Sequence, residues 1–375
     1  MTAMPAHDVN ASRARDLQQI SSAMGEFALH SSSSAIVAQG DAQELLQSVP
    51  DHTVSLVLTD PPYHSTKKDN IYGDTSFQHD QHYLSWMAQV ASEWKRVLRP
   101  NGSLFCFCSS EMSGRLEGEF AKQFNVLSQI VWTKPNDPGF DGWKQKMRKP
   151  ALRQWYAHSE RILFCEPACE GNLKRSPFAM WLRQTRSAAG ISTNQLAELI
   201  GAYGSVNHGG AVSNWETGRN IPSRDQYQKI VDVFIESGKV ADIPRYEDVI
   251  RPFMVDANQE FTDVWTFPSV RPYRGKHPAE KPAALLEHAI AATTFAGDIV
   301  LDCFAGSGST ALAALRLGRR SVSMEIAPEW ALQIADRVRW QELTAEGDLE
   351  LRGTAVGVTH EGDTPRQLPL IARER

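Results

Sequence analysis

The stretch IVLDCFAGSGST, Ile299 to Thr310, decides the fold of this 375-residue chain. A short apolar run, a glycine-rich turn and the start of a helical period form a strand, loop and helix in succession. The rhythm repeats once: Ser309 to Leu317 reads as a helix, Arg320 to Glu325 as a strand and Pro328 to Trp340 as a helix, after which the pattern ends. Two strands cannot bury both faces of a parallel sheet, so the missing strands must come from the other end of the chain. Candidates are Val54 to Thr59, Ser103 to Cys108, Val126 to Trp132 and Arg161 to Cys165, continuous apolar runs that suit strands covered on both faces. Tyr83 to Leu98 has helical spacing and stops at Arg99-Pro100-Asn101-Gly102, a helix end and turn. The expectation is an α/β protein with a Rossmann-like, doubly wound, mostly parallel sheet built from both ends of the chain, over residues 35–170 and 245–345. Gly171 to Ile243 has helical periodicity and no strand-like run, so residues 171–244 are expected to be an inserted all-α domain. Residues 1–34, ending in four serines, are expected to form a mobile arm and residues 346–375 a tail.

A chain of this length fits a core plus one module. Forty-two per cent apolar and 22% charged residues exclude a disordered, collagen-like or low-complexity protein. No window reaches the ~18 consecutive apolar residues of a membrane helix, and residues 1–30 lack a secretory apolar core, so a cytoplasmic protein is expected. Cys106, Cys108, Cys165, Cys169 and Cys303 include no C-x-x-C pair and are expected to be buried thiols, with no metal site. The net charge of −5 is unevenly spread. Lys174 to Arg245 holds nine basic and six acidic residues, and Lys134 to Arg153 six and two. Two basic islands on an acidic body suit either a polyanion partner or two solvated faces.

Asp60-Pro61-Pro62-Tyr63 follows directly on the run ending at Thr59, and strand C-termini are where α/β sheets bind ligands. Two prolines fix consecutive φ angles, which holds the Asp60 carboxylate and the Pro61 carbonyl as outward acceptors. Such a pair suits an amino group whose lone pair is delocalised into a ring: accepting its protons favours a pyramidal, nucleophilic nitrogen. Tyr63 offers a face on which an extruded base could stack. The glycine-rich loop allows close approach of a ligand, and Glu325, ending the next strand, is placed to accept from ribose hydroxyls. Gly306-x-Gly308-x-x-Ala311 also fits the dinucleotide fingerprint, which keeps a nicotinamide enzyme as an alternative for this loop.

Together these motifs resemble the amino-methyltransferases that use S-adenosylmethionine to methylate adenine N6 or cytosine N4 in DNA. D-P-P-Y ahead of F-x-G-x-G is similar to the order of the β group, a circular permutation. Gly40-Asp41, Trp132-Thr133-Lys134 and His277-Pro278-Ala279-Glu280-Lys281-Pro282 add to the likeness. The resemblance implies S-adenosylmethionine as cofactor, with Phe304, Gly306 and Gly308 along its methionine and ribose, Glu325 on the ribose hydroxyls and Asp41 on the adenine. Asp60, Lys281 and Asp302 complete that set, and Asp60, Pro61, Pro62 and Tyr63 form the catalytic motif. Relatives acting on cytosine more often carry Ser at position 60, so adenine N6 is favoured and cytosine N4 is the alternative. The partners implied are double-stranded DNA, a cognate restriction endonuclease and a second copy of the chain, with no membrane.

Within the insertion, Leu182, Arg186, Gly190-Ile191-Ser192, Leu196-Ala197, Ile200-Gly201 and Val212-Ser213-Asn214-Trp215-Glu216-Thr217-Gly218-Arg219 resemble the helix-turn-helix of Cro and phage repressors. The segment Ala202 to Gly210 is longer and richer in glycine than the usual turn. The resemblance implies that Asn207, His208, Ser213 and Asn214 face bases and Arg219 a phosphate. Lys144, Lys146, Arg148 and Lys149, near Trp143 and Arg153, suit a surface that follows a nucleic-acid backbone. Lys67 and Lys68 suit phosphates or a solvated loop equally well. The rival readings are a helical bundle that only packs, a DNA-binding regulator with an inactive core, and a methyltransferase for RNA or protein amides.

Overall fold

The computed structural model describes residues 7–64, 77, 79–135, 153, 155, 158–167, 176–202, 210–240, 242–255 and 261–354. Its centre is a nine-stranded sheet: β1 (Ala28–Ser31), β2 (Ala35–Gln39), β3 (Val54–Thr59), β4 (Leu98–Cys108), β5 (Phe124–Thr133), β6 (Ser159–Pro167), β7 (Val264–Thr266), β8 (Ile299–Asp302) and β9 (Arg320–Glu325), in the spatial order β1-β2-β9-β8-β3-β4-β6-β5-β7. The last two strands of the chain, β8 and β9, thus lie inside the sheet, between β2 and β3, as the two-ended sheet requires. β2, β9, β8, β3 and β4 run parallel; β6 is antiparallel to both β4 and β5, β1 is antiparallel to β2, and β7 runs parallel to β5.

Helices cover both faces: α1 (His7–Met24), α2 (Ala42–Gln47), α3 (Asp80–Val97) and α4 (Ser113–Phe120) from the first half, and α10 (Ala283–Thr293), α11 (Ser309–Arg316) and α12 (Pro328–Thr354) from the last. One core packs Met87, Val90, Trp94 and Phe120 on Val57, Leu104 and Leu301; the other packs Leu286 and Ile290 on Leu56, Phe105 and Val300. Alternate strand residues feed opposite faces, which is why β3, mostly apolar, is buried along its whole length. Cys106, Cys108, Cys165 and Cys303 are buried free thiols; Cys169 lies outside the described residues. Among the described residues no helix is long and apolar enough to cross a membrane.

The expected mobile arm is corrected by the structure. Residues 7–24 form α1, whose Leu17, Ile20 and Met24 are buried in the first core, and residues 28–31 form the edge strand β1. Only three apolar side chains anchor the helix, which is why the sequence showed no sustained period. Arg13 does the rest: 1% exposed, it pairs with Asp298 at 3.0 Å and Asp248 at 3.1 Å. The serines form the β1–β2 turn, Ser32 Oγ accepting from the Ala35 amide at 2.9 Å. The expected tail also begins later, since α12 continues to Thr354.

Between β6 and β7 stand α5 (Pro177–Ala189), α6 (Thr193–Leu199), α7 (Gly210–Glu216), α8 (Arg224–Glu236) and the short α9 (Tyr246–Val249), which share their own core of Leu182, Leu196, Val212, Trp215, Ile230 and Phe234. Ser176, Ser192 and Ser223 cap α5, α6 and α8, the last two through reciprocal boxes with Gln195 and Gln226. Arg186 clamps α5 to α7 through two bonds to Glu216, at 2.5 and 3.2 Å.

Candidate active site

Asp60 to Tyr63, the loop Asp302 to Thr310, Glu325 and the segment His277 to Lys281 converge at the C-terminal ends of the parallel strands, around a cleft of about 920 Å³. Sheet order explains the convergence. β3 and β8 are hydrogen-bonded neighbours, so Asp60 and Asp302 leave the sheet side by side. The Thr59 hydroxyl ties them, donating to Asp302 Oδ1 at 2.7 Å, and the Phe304 amide donates to the same oxygen at 3.2 Å. Burial raises the Asp302 carboxyl to about 6 despite these donors.

Asp60 Oδ2 accepts from the Lys281 ammonium, while Asp60 Oδ1 is buried with no hydrogen-bond partner among the described residues. A buried acceptor left open costs free energy unless a ligand supplies the donor. Burial pushes the Asp60 carboxyl up, Lys281 pulls it back and Glu160 adds to the rise. Lys281 stays protonated against its own burial because two carboxylates face it, Asp60 and, at 3.5 Å, Glu160.

Glu160 was not read from the sequence as a site residue. It is the second residue of β6, which runs down from the cleft, and it accepts from the Tyr63 hydroxyl at 3.1 Å and from Lys134. Burial opposes its ionisation, yet Lys281 and then Lys134 hold it down to about 2. A depressed carboxylate stabilises the folded state above its unfolded pKa, near 4.5, and that contribution fades as pH falls toward 2. The only sequence signal was the W-x-K segment, whose Lys134 lies 4.4 Å above the Trp132 ring. Lys281, expected beside the cofactor, lines the cleft and pairs there with Asp60.

On the other side of the cleft Glu325 accepts from the amides of Gly306 at 2.7 Å and Ala327 at 2.9 Å, which locks the loop to β9. Asp41 lines the cleft and caps α2 through the amides of Gln43 and Glu44. Phe304 stacks obliquely with Trp86, ring centres 5.6 Å apart, and His277 meets Trp330 edge-on at 4.6 Å. Burial and the neighbouring lysines lower His277 to about 4, so it is neutral at pH 7. A Cβ at Gly306 would stand 2.9 Å from His277, so glycine is needed there for packing as well as for its φ of 51°.

Gly308, expected along the cofactor, also has a packing role. It caps α11 at φ 76°, and a Cβ there would stand 2.9 Å from Ile334 of α12. Gly308→Val should therefore lower stability by about 1–3 kcal/mol or more from strain and overlap. Urea unfolding should show this, whereas a loss confined to ligand affinity with an unchanged midpoint would restore the cofactor-contact role.

Of the nucleic-acid candidates, Lys144, Lys146, Arg148, Lys149, Asn207 and His208 lie outside the described residues. Ser213 and Arg219 are exposed and Asn214 half-buried on or just after α7, and none lines the cleft. Gly218, at φ 71°, ends α7, and the Arg219 amide closes the turn on the Asn214 carbonyl at 2.9 Å.

An open α/β sheet whose strand C-termini carry a Pro-fixed carboxylate, a glycine loop and an aromatic-lined cleft defines a ligand-binding enzyme of the doubly wound class. The chain belongs to the N6/N4 DNA methylase family, whose pattern matches residues 54–336, and is a DNA methyltransferase. It is 26% identical over 294 residues to the DNA adenine methyltransferase YhdJ of Escherichia coli K12, covering 78% of this chain and 79% of that one. It is 25% identical over 331 residues to the type II methyltransferase M.PvuII of Proteus hauseri, covering 84% and 86%. Among solved structures, the cytosine-N4-specific PvuII DNA methyltransferase aligns with a TM-score of 0.49 and 18% identity over 86% of this chain and 94% of that one.

Proposed function

We propose that the protein transfers a methyl group from S-adenosylmethionine to adenine N6 of a base flipped out of duplex DNA. The observation that carries this reading is Asp60 Oδ1, a buried acceptor with an open valence beside the Pro61 carbonyl and the Tyr63 ring. The residues present fit the cofactor. Glu325 retains lone pairs for ribose hydroxyls, Phe304 and Trp86 offer apolar faces, and about 920 Å³ holds both a nucleoside and a base. When bound, the cofactor supplies a methyl group on a sulfonium, already a good leaving arrangement. The protein's part is therefore position and charge. Asp60 Oδ1 and the Pro61 carbonyl accept the two amino protons; Tyr63, pinned by Glu160, holds the ring plane; Lys281 keeps Asp60 ionised in a buried site. Asp at position 60 supports adenine over cytosine, as does the relative named an adenine methyltransferase.

The chain order is read as the permuted β arrangement, and α5–α8 as a helix-turn-helix unit that binds duplex DNA through Asn214 and Arg219. Thr133 and Ser159, which flank the basic segment with Lys144 to Lys149, both lie at the cleft end of the sheet, which supports contact between that segment and the substrate duplex. Mass spectrometry of nucleosides from DNA treated with the purified protein and S-adenosylmethionine tests the reaction. N6-methyladenine is expected. N4-methylcytosine instead would reverse the base assignment, and no methylated base would favour a regulator with a silent core.

A further inference from the structure

The insertion leaves and rejoins the core at the end of the sheet opposite the cleft. β6 is antiparallel to β4, and its last residues lie beside the start of β5, Phe124 opposite Pro167, so the chain departs from the N-terminal ends of the parallel strands. It returns there too. Asn101 Nδ2, near the start of β4, donates to the carbonyls of Glu247 at 3.0 Å and Ile250 at 2.9 Å, and Arg13 joins Asp248 to Asp298, the residue just ahead of β8. Arg224 of α8 pairs with Glu247, and Tyr246 packs its ring on Tyr227 at 5.5 Å and on Phe295 at 6.0 Å. The helical unit is thus bolted to the sheet's floor by buried charge, amide and aromatic contacts. Asp60 and Asp302 stand at the roof. The six residues of β3 alone separate the two levels by roughly 20 Å at about 3.3 Å per residue.

We propose that α5–α8 hold a second stretch of duplex DNA, of a sequence unlike the methylated site. The inference rests on the reading of this unit as a DNA binder and changes its task from target selection to a separate, sequence-specific anchorage. On α7, Val212 and Trp215 point into the unit's core while Ser213, Thr217 and Arg219 stay exposed, so the polar side is free for a groove. With the unit attached at the floor and the cleft at the roof, this face and the cleft would take separate stretches of duplex. A protein bound through the floor unit would act on DNA looped or brought alongside.

Two readouts on one pool test this. A library of random 30-base-pair duplexes is selected for retention by the full-length protein, and a second portion is methylated with S-adenosylmethionine and sequenced for modified bases. The expected result is two unlike motifs, with Asn214→Ala erasing the retained one. One shared motif would overturn the proposal while leaving the unit a DNA reader in the service of the target. A retained motif that survives Asn214→Ala, or no retained motif at all, would overturn the DNA reading of the unit itself and with it the proposal, and in the latter case a protein partner would be the better occupant.

Discussion

Asp60→Ala should lower methyl transfer by at least about 10²–10³-fold, the usual loss when one positioned electrostatic partner of a transition state is removed. Two features of the site make this the largest expected effect. Oδ1 is the open acceptor of the cleft, and Oδ2 holds Lys281, so the substitution removes the contact to the amino group and frees a buried ammonium to swing toward Glu160. Asp60→Asn keeps the volume but replaces the carboxylate with an amide whose nitrogen cannot accept, and it should be nearly as damaging. Affinity for S-adenosylmethionine, read by calorimetric titration, should stay within a few-fold because Glu325, Phe304 and the Gly306 loop are untouched. Tritiated methyl incorporation near the wild-type rate in either variant would remove Asp60 from the chemistry.

Lys281→Met is expected to damage both stability and rate. It leaves Asp60 and Glu160 buried near each other without the cation between them, and breaking a buried ion pair from one side costs about 3–5 kcal/mol. The sign of the pH dependence follows. Burial already raises Asp60 above its ordinary value, with Lys281 the chief force pulling it down, so its loss raises the folded-state pKa further. A group with a raised folded pKa favours the folded state most below its unfolded pKa and loses that contribution as pH rises, so the variant's deficit should be smallest in acid and grow toward neutrality. The rate needs the ionised carboxylate, hence the rising limb of kcat against pH should move to higher pH. Urea unfolding across a pH series and single-turnover rates measure the two effects. Adding Glu160→Gln should recover part of the lost stability, since the two sites share one network. A variant with wild-type stability and an unmoved pH profile would show that Lys281 is not the counter-ion of Asp60.

What was legible in the sequence was whatever sits at a strand end in a local motif. Asp60 and Phe304 announce themselves because prolines and glycines punctuate the chain where an apolar run stops. Glu160 does not, because it is a single polar residue at the margin of a strand and becomes meaningful only when β6 folds back beside β4 and brings it to Tyr63. α1 was missed because its hold on the core depends on a buried arginine, whose partners lie more than 200 residues away. At Gly308 the need for glycine was visible, while the neighbour that a side chain would strike, Ile334, was not.

The order β2-β9-β8-β3 has a consequence for the nascent chain. β3 emerges from the ribosome roughly 240 residues before β8, a delay of about 12–50 s at 5–20 residues per second. Throughout that interval β2 and β3 each present an unpaired backbone edge flanked by mostly apolar side chains, the kind of surface that pairs with other chains. The middle of the sheet is completed last, by strands that must slot between two already made. Synthesis of this protein is therefore expected to lean on chaperones that shield strand edges during translation, and expression at slower elongation should give less soluble product.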